Sequence, residues 1–327
     1  MRWINLILGT ALAAVVVGFG IGELVADPMY FLELFLGGLT RGSIYALIAL
    51  GYTMVYGIIQ LINFAHGEIY MIGAMTALIA STVLGYLGWN TAVVAVLAVV
   101  FAIVYSCAYG FTVEKIAYKP LRNAPRLSAL ISAIGMSLFL QNYVMLAQTP
   151  EYLPFHSLIP DFEFWEPYAH IITSVELVII FTTVLVMILL GLLIKFTRIG
   201  KAMRAPAQDK VMAALLGINV NQVISTTFVV GSATAAIGGV LIACHVGQIN
   251  FFIGFLAGIK AFIAAVLGGI GSVPGAVLGS LVLGISESFF TGYFWSEYED
   301  VFAFTILVII LIFRPSGILG KHETQKV

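Results

Sequence analysis

The sequence predicts an all-α polytopic membrane protein, and three features carry that prediction: the composition, the length of the apolar runs and the placement of the basic residues. Of 327 residues, 61% are hydrophobic and 9% are charged, and the mean hydropathy is +1.06. A water-soluble chain of this length needs far more polar surface. Backbone in hydrocarbon must satisfy its own hydrogen bonds, so only helices or a closed barrel can span it. Apolar runs of about 20 residues fit helices and not the short alternating strands of a barrel.

About ten hydrophobic segments are predicted along the chain. The first is longer than the apolar core of a typical signal peptide, and Leu24-Val25-Ala26 is a poor cleavage site, so we expect a retained anchor. Segment 257–271 is shorter and segment 31–57 is longer than the about 20 residues of a typical span. In order, the segments are 4–24, 31–57, 69–87, 91–113, 129–148, 173–194, 222–244, 257–271, 273–293 and 301–315.

The basic residues predict the orientation of these segments. Of the 15 Lys and Arg residues, 13 lie near the two ends of the chain or in the stretches 115–126 and 195–210. The loops on the opposite side carry acidic residues and most of the interfacial aromatic residues. Basic loops stay in the cytoplasm. We therefore expect both termini in the cytoplasm, with 195–221 as a cytoplasmic loop and 149–172 as an extracytoplasmic loop.

Residues 1–327 are predicted to form a single transmembrane domain, because no loop is long enough to hold a nucleotide-binding fold. The ATP-binding motif Gly-x4-Gly-Lys-Ser/Thr is absent, as are the zinc-protease and serine-hydrolase motifs. We expect no enzyme activity, no cofactor and no metal in this chain, with Cys107 and Cys244 as apolar packing residues. Any energy source must then be a separate subunit or an ion gradient.

Residues 268–274 (GGIGSVP) predict a broken helix at membrane depth. Pro274 removes a backbone donor and restricts the residue before it, and freed backbone groups inside a membrane usually line a cavity. Gly271, Gly275 and Gly279 recur every four residues and predict a small-residue face for close helix packing. An internal repeat is suggested by a shift of 217 positions, which lays Gly37, Gly51 and Gly67 over Gly254, Gly268 and Gly284.

The stretch 60–68 is the most polar one that joins two spans without basic residues. Charged groups in a membrane usually face a water-filled cavity or one another. On that basis Asn63, His66 and Glu68 line a path or hold a re-entrant turn. In the other interpretation Asn63 and Glu68 cap neighbouring helix ends at the interface. His66 and Glu68 are two residues apart and therefore do not face each other on a helix.

Arg41 and Lys260 are the two basic residues outside the predicted cytoplasmic regions. Both side chains can extend along the helix toward the outer interface. Alternatively, both lie at an extracellular mouth and meet a carboxylate of an arriving ligand. Glu287, deep in its segment, is the candidate partner for one of them.

The loop 195–221 contains a predicted short amphipathic helix after Pro206, with Asp209 near its first turn and Gly217 as its stop. Its apolar face has to be covered by the membrane surface or by a groove on a partner protein, and composition does not choose between these. The face consists of Val211, Met212, Ala214, Leu215 and Ile218.

Four stretches closely resemble the LivH-type permease subunits of branched-chain amino-acid ABC transporters. They are GSIYALIALGYTMVYGIIQLINFAHGE (42–68), LISAIGMSLFLQNY (130–143), KAFIAAVLGGIGSVPGA (260–276) and PSGILG (315–320). The resemblance covers residues 30–327. It implies a transmembrane permease subunit of an ATP-driven importer of leucine, isoleucine and valine in the bacterial inner membrane, with alternating access driven by separate ATPase subunits.

The resemblance also implies partners and roles. The partners are a second, LivM-like permease subunit, two ATP-binding subunits, an extracytoplasmic substrate-binding protein and membrane lipid, with no nucleic acid and with ATP held by the partner subunits. The loop 195–221 becomes the segment that docks on an ATPase subunit. The coupling residues are Arg204, Asp209, Ala213, Ala214, Gly217 and Asn219, and the expected translocation path comprises Asn63, His66, Glu68, Arg41, Lys260, Gly271, Pro274 and Glu287.

Two other functions fit parts of the same pattern. A proton-coupled secondary transporter of amino acids could use the intramembrane charges as a relay, and it would need no ATPase. Permeases similar to the LivH type also carry urea and amides, so the substrate range is the finer part of the prediction. A channel is disfavoured because the scattered ionisable groups form no repeated selectivity element.

Overall fold

The all-α prediction is confirmed by the structure, a computed structural model that describes residues 27–122 and 124–320. The predicted segment 4–24 lies outside the described residues. Short loops join most of the helices. The α-helices of the described part are α1 (Pro28–Ile59), α2 (His66–Tyr86), α3 (Thr91–Val113), α4 (Arg126–Ala147), α5 (Ser174–Phe196), α6 (Arg198–Gln208), α7 (Lys210–Leu215), α8 (Val220–Val246), α9 (Ile253–Gly268), α10 (Val273–Tyr293) and α11 (Glu299–Phe313).

Seven of these helices are long and apolar enough to cross a membrane: α1, α2, α3 with its extension, α4, α5, α8 and α10. Each predicted segment from 31–57 onward coincides with a helix. However, α9 has 16 residues and α11 has 15, fewer than the about 20 that a lone span needs. Within the described residues, seven helices are long enough for a full span, against nine predicted segments.

Polar residues between the apolar segments set where helices begin. Pro28 occupies the first turn of α1, and the Asp27 side chain accepts a hydrogen bond from the Tyr30 N–H at 3.1 Å. The start of α5 is a capping box, in which Thr173 and Glu176 each accept a backbone N–H from the other's residue. These local signals explain why the predicted segment ends agree with the helix ends to within a few residues.

Small residues let the helices approach closely. Where α1 crosses α10, a Cβ added at Gly42 would stand 2.8 Å from the Leu281 Cα, and one added at Gly38 would stand 2.6 Å from the Ile285 Cα. Gly284 on α10 faces the same crossing. Backbones in lipid associate through such close contact because helices gain no hydrophobic driving force there.

The predicted small-residue face is partly confirmed. Gly275 and Gly279 lie on α10 and pack against Gly268 and Ala264 of α9. The assignment of Gly271 to that face is wrong, because this residue precedes α10 in the connection 269–272. The predicted helix break is confirmed at the same place, between the last residue of α9 and the first of α10.

Two irregular features connect the helices. The chain continues from α3 through a π-helical turn (Glu114–Tyr118) and a 3-10 turn (Lys119–Leu121). The strands β1 (Leu153–Pro154) and β2 (Gln248–Ile249) pair antiparallel, with Leu153 opposite Ile249. This pairing holds the loop 149–172 against the C-terminal end of α8. Each end of the helix bundle is named after its long loop: the 149–172 end and the 195–221 end.

The helices differ in how much of their surface the chain itself covers. In the most apolar window of α1, 83% of the residues are buried, against 17% for α5 and 22% for α3. Helices α1 and α8 therefore form the centre, while α3 and α5 present apolar side chains outward, as lipid-facing helices do.

The internal repeat stays a prediction: the shift of 217 positions aligns Gly51, inside α1, with Gly268, the last residue of α9.

Candidate functional site

Arg41, Lys260 and Glu287, three of the charged residues predicted within the membrane segments, lie in one cluster. The Lys260 ammonium on α9 is 3.6 Å from Glu287 Oε1 on α10 and 2.9 Å from Asp300 on α11, and it also contacts Glu299. Arg41 on α1 donates from Nη1 to Glu299 Oε2 at 3.1 Å. The predicted pairing of Glu287 with one of the two basic residues is therefore confirmed. Both cations meet carboxylates, so neither extends alone toward the interface.

A cavity of about 430 Å³ adjoins this cluster, between α1, α8 and α9. It opens at the 149–172 end, where Tyr152 and Gln248 form part of its rim. Arg41, Lys260 and Glu299 line it directly. Glu287 lies behind the wall, where Tyr45 donates to its Oε2 at 2.8 Å. The remaining wall is largely apolar and includes Ile44, Ile242, Phe252, Ile253, Leu256 and Ala257.

Aromatic side chains fill the space beyond the cavity, toward the 195–221 end. Tyr52 lies seven residues after Tyr45, about 10 Å further along α1. Its ring packs edge-on against His66 with centroids 5.0 Å apart, and Phe262 lies 6.4 Å from Tyr52 and 5.7 Å from Phe64. Tyr52 and His66 are buried. In this conformation the cavity is therefore followed by a packed aromatic cluster.

Gly51 and Gly231 make room for His66, the first residue of α2. A Cβ added at Gly51 would overlap the imidazole, and one added at Gly231 would stand 3.6 Å from its Cε1. Gly51 precedes the end of α1 by eight residues, about 12 Å. The chain from 60 to 65 therefore turns back into the protein before α2 starts, which agrees with the predicted re-entrant turn.

Glu68 is buried on α2 and does not pair with His66, as the spacing predicts. Its Oε1 accepts a hydrogen bond from the Ser137 hydroxyl on α4 at 3.0 Å. Its Oε2 has no hydrogen-bond partner among the described residues and lies beside Gly254, where an added Cβ would stand 2.7 Å away. A buried carboxylate with one neutral donor is costly, so structural packing alone does not account for it.

The capping role considered for Asn63 is wrong. The residue before α2 is Ala65, and no side chain caps this helix start. The Asn63 Oδ1 instead accepts from the Tyr118 hydroxyl at 3.0 Å, and the same hydroxyl lies 3.2 Å from the Ile62 carbonyl. Asn63 therefore ties the re-entrant turn to the π-helical turn after α3.

A second buried ion pair, missed by the sequence analysis, lies at the 195–221 end. Glu114 is fully buried, and its carboxylate contacts Arg122 and accepts from the Ser225 hydroxyl of α8 at 2.7 Å. Arg122 also contacts Asn221 at the start of α8. The sequence shows an acid directly after an apolar segment and an arginine eight residues later, but the π-helical and 3-10 turns between them, and not α-helical spacing, bring the two side chains together.

The structure does not bring Gly271 and Pro274 to the cavity. Both are exposed at the connection between α9 and α10, and Gly271 has φ +93°. Of the eight residues expected on a path, these two lie apart from the other six. The broken helix therefore lies at the 195–221 end and not beside the ion cluster, contrary to the expected cavity lining.

The loop 195–221 folds into two helices, of which only the second was predicted. Pro206 lies within α6 and does not start a helix. Asp209 caps α7 by accepting from the Val211 and Met212 N–H groups at 2.8 and 3.0 Å. Gly217 has φ +82°, which ends the helix in the left-handed region. The predicted start and stop of the short helix are confirmed.

The six expected coupling residues surround this short helix. Arg204 on α6 donates to the Lys195 carbonyl at 3.4 Å, and Asn219 caps α8 by accepting from the Gln222 N–H at 3.2 Å. Ala213 is buried and Ala214 is exposed. The large apolar side chains of α7 and its end point outward: Val211 is 70% exposed, Met212 58%, Leu215 77% and Leu216 80%.

The side chains gathered here suit binding and movement. Among the described residues there is no group of three or more His, Cys, Asp and Glu side chains that could hold a metal ion. The described residues form a largely apolar cavity with an ion pair in its wall at one end, an aromatic cluster beyond it and an uncovered apolar helix at the other end.

Comparisons with known proteins give the family. The sequence profile described as "Branched-chain amino acid transport system / permease component" matches residues 34–311. The chain is 51% identical over 302 residues to the high-affinity branched-chain amino acid transport system permease protein BraD of Pseudomonas aeruginosa, covering 91% of this chain and 98% of the relative. It is 50% identical over 305 residues to LivH of Escherichia coli K12, with the same coverage.

A more distant relative is the probable branched-chain amino acid transport permease protein LivH of Methanocaldococcus jannaschii, 28% identical over 302 residues, covering 87% of this chain and 91% of that protein. The profile and the two closer relatives span the helices that form the cavity, the aromatic cluster and the α6–α7 loop. The chain therefore belongs to the family of branched-chain amino acid transport system permease components.

Proposed function

We propose that this chain is the transmembrane permease subunit of an ATP-driven importer of leucine, isoleucine and valine, working by alternating access. The observation that carries the proposal is the uncovered apolar face of α7, together with the family membership. A short helix with four large apolar side chains exposed at one end of a membrane protein needs a partner surface.

The proposed complex contains a second, LivM-like permease subunit, two ATP-binding subunits and an extracytoplasmic binding protein. ATP would be bound and hydrolysed on the partner subunits. We place the protein in the bacterial inner membrane with both termini in the cytoplasm, because the basic residues concentrate at the 195–221 end. In this orientation α7 faces an ATP-binding subunit and the cavity faces the binding protein.

Contacts of the described chain give a route from α7 to the interior. Lys210, the first residue of α7, donates from Nζ to the carbonyl of Ile59 at the end of α1, at 3.2 Å. The start of α8 follows α7 and is joined through Asn221 to Arg122, and thus to Glu114. A displacement of α7 would therefore move the ends of α1, α3 and α8 together.

The same route ends at the re-entrant turn. Tyr118, in the turn that begins with Glu114, holds Asn63, and Asn63 lies three residues before His66 in the aromatic cluster. We propose that movement of this turn separates Tyr52, His66 and Phe262 and so opens the cavity toward the cytoplasm. Arg41, Lys260 and Glu287 would then mark the outer part of the path, and Asn63, His66 and Glu68 its middle.

Substitution of Leu216 tests the docking surface. Leu216→Gln should reduce the amount of ATP-binding subunit that co-purifies with the permease at least fivefold, because it places a polar group in the proposed interface. The matched control is Leu146→Gln, since Leu146 is also 80% exposed but lies near the 149–172 end. Equal co-purification of wild type and both variants would contradict the proposed use of α7. Transport that persists without ATP and collapses with a protonophore would favour the proton-coupled alternative.

A further inference from the structure

The outer cavity presents a positive and a negative side chain that already pair with each other at its wall. Arg41 and Glu299 both line it, and their ion pair of 3.1 Å is partly exposed, with side-chain exposures of 38% and 22%. We propose that this cavity is a binding station for the zwitterionic head of an α-amino acid, with the carboxylate on Arg41 and the ammonium on Glu299. The inference rests on the proposed function and identifies the site at which the permease itself binds and discriminates its substrate.

Arg41 has unused hydrogen-bonding capacity toward the cavity. A guanidinium carries five N–H donors, and within the described residues the hydrogen bond of this side chain is the one from Nη1 to Glu299. Planar forks of this kind bind carboxylates through two parallel hydrogen bonds. The Arg41 guanidinium can therefore donate two hydrogen bonds to a ligand carboxylate from its position in the cavity wall.

Glu299 is held in position from behind. Its Oε1 accepts from Lys260 and its Oε2 from Arg41, and each carboxylate oxygen can accept a second hydrogen bond. Lys260 is surrounded by Glu287, Glu299 and Asp300. We therefore assign Lys260 as a positioning residue, because its charge is already matched by three carboxylates.

The paired charges select for a zwitterion over a simple ion. A ligand with only an ammonium group would take Glu299 from Arg41 and leave the guanidinium unpaired, and a ligand with only a carboxylate would leave Glu299 with Lys260 as its one cation. Either loss is costly in a partly buried place. A ligand that carries both charged groups on one carbon gives Arg41 a carboxylate and Glu299 an ammonium at the same time. A free α-amino acid meets this requirement, whereas an amide or a fatty acid does not.

The rest of the wall suits an apolar side chain. The cavity volume of about 430 Å³ lies within the range of roughly 300–1,000 Å³ typical of small-molecule sites. Its lining includes the apolar Ile44, Ile242 and Leu256 beside the polar His245 and Asn250. The aromatic cluster lies beyond the cavity along α1. A branched aliphatic side chain would replace water from this apolar surface, which favours binding.

The test is equilibrium binding to the complete membrane complex in lipid nanodiscs, without the binding protein. The probes are leucine, leucinamide, which lacks the carboxylate, and 4-methylpentanoate, which lacks the ammonium group. For wild type we expect leucine to bind at least tenfold more tightly than either analogue. Arg41→Gln should reduce the ratio between leucine and leucinamide to twofold or less, and Glu299→Gln should do the same for leucine and 4-methylpentanoate.

Asp300→Asn is the matched control, because Asp300 is next in sequence and contacts Lys260 but does not line the cavity. It should keep both wild-type ratios. The inference is overturned if wild type does not discriminate among the three probes, or if Arg41→Gln and Glu299→Gln keep the tenfold ratios. Should one variant fail to assemble, the other variant and the wild-type ratios still decide the question.

ATP-dependent uptake separates this inference from the proposed function, and it is measured after the same purified complexes are reconstituted into liposomes and supplied with the binding protein. Uptake that requires ATP, combined with unchanged ratios in the variants, would reject the binding station alone. Altered ratios in a complex that shows no ATP-dependent uptake would instead reject the proposed function and leave the binding station in place.

Discussion

Removal of the Lys260 ammonium should destabilise the protein more than any substitution of an exposed lysine. The variant Lys260→Met keeps the aliphatic stem but leaves the fully buried Glu287 without a cation. In the wild type, Lys260 Nζ and Glu287 Oε1 are 3.6 Å apart, and the Tyr45 hydroxyl is the other group that contacts this carboxylate. At an effective dielectric constant of about 20, the attraction lost with Glu287 is about 4–5 kcal/mol.

That magnitude agrees with the about 3–5 kcal/mol usually lost when one partner of a buried pair is removed. The same substitution also leaves Glu299 and Asp300 without this cation, although these groups are more exposed and lose less. At on the order of 2–4 °C per kcal/mol, we expect the melting temperature of the purified complex to fall by about 6–20 °C.

Two further variants show whether the effect arises from the unpaired carboxylate. Lys260→Met combined with Glu287→Gln should recover at least half of the lost stability, because the amide is neutral and still accepts from Tyr45. Lys119→Met is the control, since Lys119 is exposed, and it should change the melting temperature by about 2 °C or less, which corresponds to about 0.5 kcal/mol or less at the surface. A Lys260→Met variant with the melting temperature of wild type would refute the proposed cost of the unpaired Glu287, and so would a double variant no more stable than Lys260→Met alone.

Three other predictions follow from the structure. Gly42→Ala should lower stability by about 1–3 kcal/mol, because the added Cβ would press on α10. Its control is Gly57→Ala, whose Cβ would have no atom within 4 Å and which should raise stability by about 0.5–1 kcal/mol. Equal melting temperatures of the two variants would contradict the close crossing of α1 and α10. Arg122→Gln leaves Glu114 buried beside Ser225, so ligand-stimulated ATP hydrolysis by the complex should fall at least fivefold while basal hydrolysis stays within twofold. Gly217→Val forces a β-branched residue toward φ +82°, so stimulated hydrolysis should be lost, and unchanged stimulation would exclude this helix end as part of the coupling surface.

Much of the fold was readable from the sequence because hydrocarbon imposes simple rules. Continuous apolar runs predicted the helices from α1 to α11 except α6 and α7, of which α7 was predicted from its amphipathic pattern. The scarcity of charges within the runs made Glu287 the candidate partner of a basic residue. The re-entrant turn before His66, one of the two interpretations of that polar stretch, and the helix start near Asp209 agree with local residue types. These features depend on short-range chemistry that a single sequence displays.

Long-range arrangements were not readable. Glu299 was recognised as an acid of an outer loop, but nothing in the pattern indicated that it would join Lys260, which is 39 residues earlier, to Arg41. Glu114 and Ser225 are likewise 111 positions apart. Gly271 was assigned to a helix face because its spacing matched, although the two glycines before it end α9 and shift the next helix start to Val273.

The most direct test of the account is leucine uptake into liposomes that contain this chain together with its ATP-binding and second permease subunits. Uptake and ATP hydrolysis are measured with and without a leucine-loaded binding protein. We expect uptake that requires both ATP and the binding protein. Uptake driven by a pH gradient in liposomes without ATP would contradict the proposed ATP-driven import.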